Sequence, residues 1–141
     1  MNPMNFEKQG AIYQLSAKIN LPLSLDDAWK FLSDPSNLKV ITPDYMGFKI
    51  ISSPEEAMYA GQIISYKVSP LLGLKMNWVT EITHVEDKKY FVDEQRFGPY
   101  AMWHHKHFLK EIKGGTEIKD VVHYKPVSYT HLTLPTMLAQ C

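Results

Sequence analysis

From Tyr13 to Leu21 apolar and polar side chains alternate: Tyr13, Leu15, Ala17, Ile19 and Leu21 stand against Gln14, Ser16, Lys18 and Asn20. This is the period of a half-buried β-strand. Pro22 ends it. Ser24 followed by Asp27 reads as a capping box, and Leu25, Ala28, Trp29 and Leu32 then recur at helical spacing. Asp34-Pro35 stops that helix and opens a second, brief one, with Leu38 and Ile41 on its buried side and Pro43 at its end. A short strand is expected over 47–51, a polar loop over 52–56, and a strand over 62–68 with Ile64, Tyr66 and Val68 on one side. A turn over 70–73 leads into the longest alternating run, 74–85. Leu74, Met76, Trp78, Thr80 and Ile82 share one of its faces; Lys75, Asn77, Glu81 and Thr83 share the other.

The stretch 93–126 carries the densest pattern. Gly98-Pro99 and Gly114-Gly115 punctuate runs rich in aromatic and β-branched residues, the signature of antiparallel strands joined by tight turns. A turn at Gly114-Gly115 sets Lys113 opposite Thr116, Leu109 opposite Asp120, His107 opposite Val122 and His105 opposite Tyr124. A turn at Asp87-Lys88 is expected to put Ile82 opposite Phe91, Thr80 opposite Asp93 and Trp78 opposite Gln95. One face of the sheet then carries Trp78, Thr80, Ile82, Phe91, Asp93, Gln95, Trp103, His105, His107, Leu109, Ile118, Asp120, Val122 and Tyr124. Large apolar groups mixed with two histidines and two aspartates suggest a lined cavity more than a dry core.

One strand, two short helices and then six strands make an α+β protein with a seven-stranded antiparallel sheet. The two helices look too small to cover it, so a long helix is expected after Pro126. The 141 residues suffice for a single domain and core. Fifteen basic and fifteen acidic side chains cancel, and no basic run stands clear of its acidic neighbours, so the charge pattern recommends neither nucleic acid nor an anionic membrane as partner. No window reads as a signal peptide or a membrane span, which makes a cytoplasmic location the default. The one cysteine, Cys141, is the last residue, so no intrachain disulfide and no cysteine-based metal site can be drawn.

The order of elements, together with Pro70-Leu71-Leu72-Gly73, Trp78, Thr80-Glu81-Ile82-Thr83, Phe91, Asp93, Gln95, Gly98-Pro99-Tyr100, Trp103, His105, His107, Phe108, Gly114-Gly115-Thr116, Asp120, Val122, Tyr124 and Pro126, resembles the START-like, helix-grip (SRPBCC) superfamily. The likeness is to its small bacterial branch, often labelled polyketide cyclase/dehydrase-like, and runs from Ile12 to Pro126. It implies a curved sheet gripping a long C-terminal helix, with a small apolar or amphipathic molecule held between them and no cofactor. Residues 1–126 are then a START-like domain. The tail 127–141 shows no helical periodicity, and its stretch VSYTHLTLPT looks like a translated sequencing-library adaptor standing in place of the family's helix. With that helix missing, Trp103, Val122 and Tyr124 are expected to lie partly exposed and to invite self-association.

Within the expected cavity Trp78, Ile82, Phe91, Trp103, Ile118, Val122 and Tyr124 supply apolar walls, and Thr80, Asp93, Gln95, His105, His107 and Asp120 supply polar groups. Three roles are open to the titratable set. It can be a satisfied buried network, since an unpaired buried carboxylate or imidazole is costly. It can contact a ligand. Or His105 or His107, tuned by Asp93 or Asp120, can abstract a proton next to a carbonyl in a cofactor-free cyclase or dehydrase reaction. His105-x-His107 with Asp93 also approximates a two-histidine, one-carboxylate metal site, but the resembled family is generally metal-free. No Ser or Thr sits in a strained elbow, and the glycine pairs open no helix, so neither a nucleophile nor a phosphate loop is supported.

Overall fold

The structure, a computed structural model, describes residues 4–37, 40, 47–51, 57–69 and 74–127. Its strands are β1 (Asn5–Gln9), β2 (Ile12–Leu21), β3 (Lys49–Ile50), β4 (Gln62–Val68), β5 (Met76–Glu86), β6 (Tyr90–Phe97), β7 (Tyr100–Ile112) and β8 (Gly115–Pro126). Helix α1 (Leu25–Leu32) follows β2, and a 3-10 turn spans Pro35–Asn37. The strands form one antiparallel sheet of eight in the order β1-β2-β8-β7-β6-β5-β4-β3. After β2 the chain crosses to the far edge, then meanders back until β8 closes against β2.

Helix α1 begins as its capping pattern requires, with the Ser24 hydroxyl accepting from the Asp27 amide at 3.1 Å. It buries Ala28 and Trp29 over Phe91, Leu109 and Ile118. The expected second helix over Leu38 and Ile41, the loop 52–56, the turn 70–73 and the tail 128–141 lie outside the described residues. The strand count rises from seven to eight because of β1, a fully exposed edge strand paired to β2 through a turn in which Gly10 takes φ +63°.

Both expected registers are corrected: by two residues in β7–β8, and in β5–β6 by two at Thr80 and Ile82 and by three beside the turn, where Val85 faces Phe91. The β7–β8 turn is Lys113-Gly114, so Ile112 faces Gly115, Leu109 faces Ile118, His107 faces Asp120, His105 faces Val122 and Trp103 faces Tyr124. Gly114 supplies the positive φ, +85°, that the turn needs. Gly115 belongs to the strand for a different reason: a Cβ there would stand 1.9 Å from the Leu21 carbonyl oxygen, at the close of β2 on β8.

The β5–β6 loop is Asp87–Lys89, with Lys88 at φ 59°, and the ladder shifts again between Ile82 and His84. Ile82 therefore faces Asp93, not Phe91, and Thr80 faces Gln95, not Asp93. The Trp78–Gln95 pairing falls with them. A slip of two keeps each side chain on its face. From Trp78 to Tyr124 the expected inner face is kept while its cross-strand partners change; Leu74 is the exception.

Two apolar clusters lie on that face. One gathers Leu15, Val68, Trp78, Tyr100, Trp103, Val122 and Tyr124; the other joins α1 to Phe91, Leu109 and Ile118. The expectation of exposed Trp103, Val122 and Tyr124 is overturned, since they retain 5%, 0% and 8% of their accessible surface. Trp103 meets Trp78 edge-on with centroids at 5.4 Å and Tyr100 at 4.8 Å, and Tyr13 stacks on Tyr124 at 5.4 Å. Offset and edge-on ring pairs of this kind bury large apolar area within the sheet face itself. Leu74, read as inward, precedes β5 and is exposed.

Candidate functional site

Between the two clusters runs a polar belt, and its centre is a closed set of four side chains. On β7, alternation takes the inner face from Trp103 through His105 and His107 to Leu109, so the histidines occupy the step from one apolar cluster to the other. Asp93 on β6 lies opposite His105, and Asp120 on β8 lies opposite His107. Each carboxylate also reaches the diagonal histidine. His107 engages Asp93 through Nε2 at 2.7 Å and Asp120 through Nδ1 at 2.8 Å. His105 Nε2 meets the same Asp120 oxygen at 3.0 Å, and its Nδ1 faces Asp93 at 3.8 Å, beyond hydrogen-bond reach.

The surroundings fix these rings. His107 stacks on Phe91 with centroids 4.1 Å apart, the two imidazoles lie 3.7 Å apart, and Trp103 presents its edge to His105 at 6.1 Å. Burial pulls His107 toward its neutral form, but hydrogen bonds to Asp120 and then Asp93, with the attraction of both carboxylates, prevail and push it up to about 9. Burial likewise works against the Asp120 charge, yet hydrogen bonds from His105 and His107 hold it well below the usual carboxylate range. An imidazole between two carboxylates donates to both only as the imidazolium. His107 is thus an ion-pair partner that is poorly suited to act as a base near neutral pH.

The rest of the belt is less settled. Gln62, Trp78, Thr80 and Tyr100 are buried at 2%, 1%, 4% and 4% exposure. Among the described residues, both Gln62 amide atoms, the Trp78 indole nitrogen, the Thr80 hydroxyl and the Tyr100 hydroxyl have no hydrogen-bond partner. Gln62 on β4 faces Ile82, two residues from Thr80 on the same face of β5, and the Trp78 and Tyr100 rings lie 5.8 Å apart. Burial also pushes the Tyr100 phenol above its ordinary range, so it remains a donor.

Of the residues singled out from the sequence, Asp93, His105, His107 and Asp120 come together in the closed set. Phe91 and Ile118 pack under α1, while Trp78, Trp103, Val122 and Tyr124 form the aromatic cluster. Thr80 and Ile82 line the belt between them. Gln95 is already occupied: its amide donates to the Tyr100 carbonyl at 2.7 Å and accepts from the Tyr100 amide at 3.1 Å, bracing the Gly98-Pro99 turn. A Cβ on Gly98 would meet that amide oxygen at 2.5 Å. Gln62 and Tyr100 were not among the site residues expected from the sequence. Gln62 lies in phase with Ile64, Tyr66 and Val68, which was the available signal; Tyr100 follows a Gly-Pro turn and gave none.

Comparison with solved structures agrees on the architecture. A protein from Chromobacterium violaceum matches with a TM-score of 0.72 at 12% identity over 90% of either chain. One from Rhodobacter sphaeroides gives 0.69 at 15% identity, covering 96% of this chain and 91% of its own. Major latex-like protein 151 of Panax ginseng gives 0.68 at 14% identity, covering 92% and 89%. At such identities the likeness is one of fold: an α+β, helix-grip-like sheet with a helix on its inner face. No family model matches the sequence, and no curated protein matches it. Among the described residues no helix is long and apolar enough to cross a membrane.

Proposed function

We propose that this protein binds a small amphipathic molecule against the inner face of its sheet, with the ligand's polar end at Gln62, Trp78, Thr80 and Tyr100 and its apolar body among the aromatic cluster. The observation that carries this reading is the set of buried polar atoms without hydrogen-bond partners among the described residues. Leaving one such group unpaired costs about 1–3 kcal/mol. Several on one face of one sheet point to a partner from outside the chain. An apolar wall with a few convergent polar groups is the usual composition of a small-molecule site. The resemblance to helix-grip proteins that hold ligands in this part of the fold supports the same location.

The alternative, a cofactor-free cyclase or dehydrase using His105 or His107 as base, is less well supported. A working base needs a free lone pair in reach of the substrate. Both nitrogens of His107 are taken by carboxylates, and both imidazoles are buried beneath Trp103 and Phe91. A closed network suits orientation of a ligand better than proton abstraction.

The test uses Thr80→Val and Gln62→Leu, near-isosteric changes that remove the unpartnered atoms. Each variant is expected to be at least as stable as the parent to urea, yet to bind a saturable amphipathic dye such as anilinonaphthalene sulfonate about tenfold more weakly, about 1.4 kcal/mol. Stabilisation with dye affinity unchanged, or no saturable binding by the parent, overturns the proposal.

A further inference from the structure

We propose that Asp93, His105 and His107 form a binding site for one divalent transition-metal ion of the zinc type, oriented from behind by Asp120. This goes beyond the ligand-binding reading, does not depend on it, and departs from what the family resemblance implies. The donor atoms of the three residues all lie within 4.8 Å of one another. Asp93 Oδ2 stands 2.7 Å from His107 Nε2 and 3.8 Å from His105 Nδ1. An ion held about 2.0–2.2 Å from nitrogen and carboxylate donors places those donors about 3–4 Å apart. The short distance needs to open and the long one is already there, so small rotations complete the site.

What distinguishes the cluster from an ordinary buried ion pair is how the opposite nitrogens are used. His105 Nε2 and His107 Nδ1 both turn to the same Asp120 oxygen, at 3.0 and 2.8 Å. A carboxylate on the far N–H of each ligating imidazole is the recurrent outer shell of histidine metal sites, where it fixes the tautomer and the ring orientation. His107 Nε2 donates to Asp93 as the cluster stands; once an arriving cation displaces that proton, with the far N–H groups turned to Asp120, the lone pairs of His105 Nδ1 and His107 Nε2 converge on the Asp93 carboxylate. A divalent cation can take that proton's place among the three donors, so binding releases a proton. The Asp93 side chain keeps 16% of its exposure while Asp120 keeps 3%, so the open side for a further ligand is the side of Asp93. Two imidazoles and one carboxylate suit zinc, iron(II) or cobalt(II) better than calcium or magnesium, which favour all-oxygen sites.

The experiment takes the full chain, strips it with a chelator, and titrates it with Zn2+ by calorimetry and with Co2+ by visible absorption. One ion per chain is expected, with the absorption of a low-coordinate cobalt centre. Asp93→Ala should weaken binding at least a hundredfold. Asp120→Asn should weaken it by about 10–100-fold with the stoichiometry kept. His104→Ala/His123→Ala, which removes the imidazole pair on the outer face, should leave affinity unchanged. Should Asp93→Ala fail to fold by circular dichroism, X-ray absorption at the zinc edge of the parent protein decides by itself: two imidazoles and oxygen are required. No binding, binding lost only with the outer pair, full affinity in Asp93→Ala, or sulfur in the coordination shell would each overturn the site.

Discussion

Asp120 is the most connected polar side chain of the inner face, and its energetic role differs from that of Asp93. It is nearly sealed, and one of its oxygens serves both histidines. Asp93 is more exposed and, among the described residues, has only His107 within hydrogen-bond distance. Removing one partner of a buried charge pair costs about 3–5 kcal/mol, because the other is left uncompensated. Asp120→Ala is expected to lose stability in that range, with Asp93→Ala losing clearly less, by urea denaturation of the two variants beside the parent. Equal losses would contradict the connectivity described here. At this scale the sequence was informative on which residues meet and silent on how. Alternation alone put both histidines and both aspartates on one face, since a two-residue period is indifferent to a slip of two. That Asp120 rather than Val122 lies across from His107 depends on which glycine takes the positive φ, and Gly114-Gly115 offered two.

Among the elements, the β7–β8 hairpin and its closure on β2 hold the site together. Leu21, Ile19, Ala17 and Leu15 run beside Thr116, Ile118, Asp120 and Val122, and Gly115 ends this ladder against the Leu21 carbonyl. The Thr116 hydroxyl continues the seam by donating to the Leu23 carbonyl at 2.9 Å. Gly115→Ala forces backbone apart at that point, and overpacking of this kind costs about 1–3 kcal/mol. Amide exchange at Leu21 and Thr116 should accelerate in this variant relative to amides of β4; unchanged exchange together with unchanged stability would show that the seam has slack. Helix α1 was legible from Ser24, Asp27 and the spacing of Leu25, Ala28, Trp29 and Leu32. Strand β1 was not, because NFEKQ at an exposed edge carries no alternation that burial would impose. The three-residue β5–β6 loop was missed because Lys88, a residue that rarely adopts positive φ, takes the position where glycine or asparagine would have announced it.

Seen whole, the molecule is a sheet whose inner face changes character along its strands: aromatic at one end, apolar under α1 at the other, polar between. The α+β class and the consecutive strands of the meander were readable from the sequence because both rest on local periodicity and turn residues, while the helix-grip likeness came as a resemblance carried by particular residues. The degree of burial of Trp103, Val122 and Tyr124 was not, because rings that cover one another leave no mark in sequence spacing. The central claim is that the inner face, at Gln62, Trp78, Thr80 and Tyr100, receives an amphipathic small molecule, and proton–nitrogen correlation spectra test it most directly. On titration with the dye, the Trp78 indole and Gln62 side-chain amide resonances are expected to shift in a saturable manner, while amides flanking outward-facing Phe108 stay in place. Shifts confined to the outer face, with the Trp78 and Gln62 side-chain signals unmoved at saturation, would contradict the account.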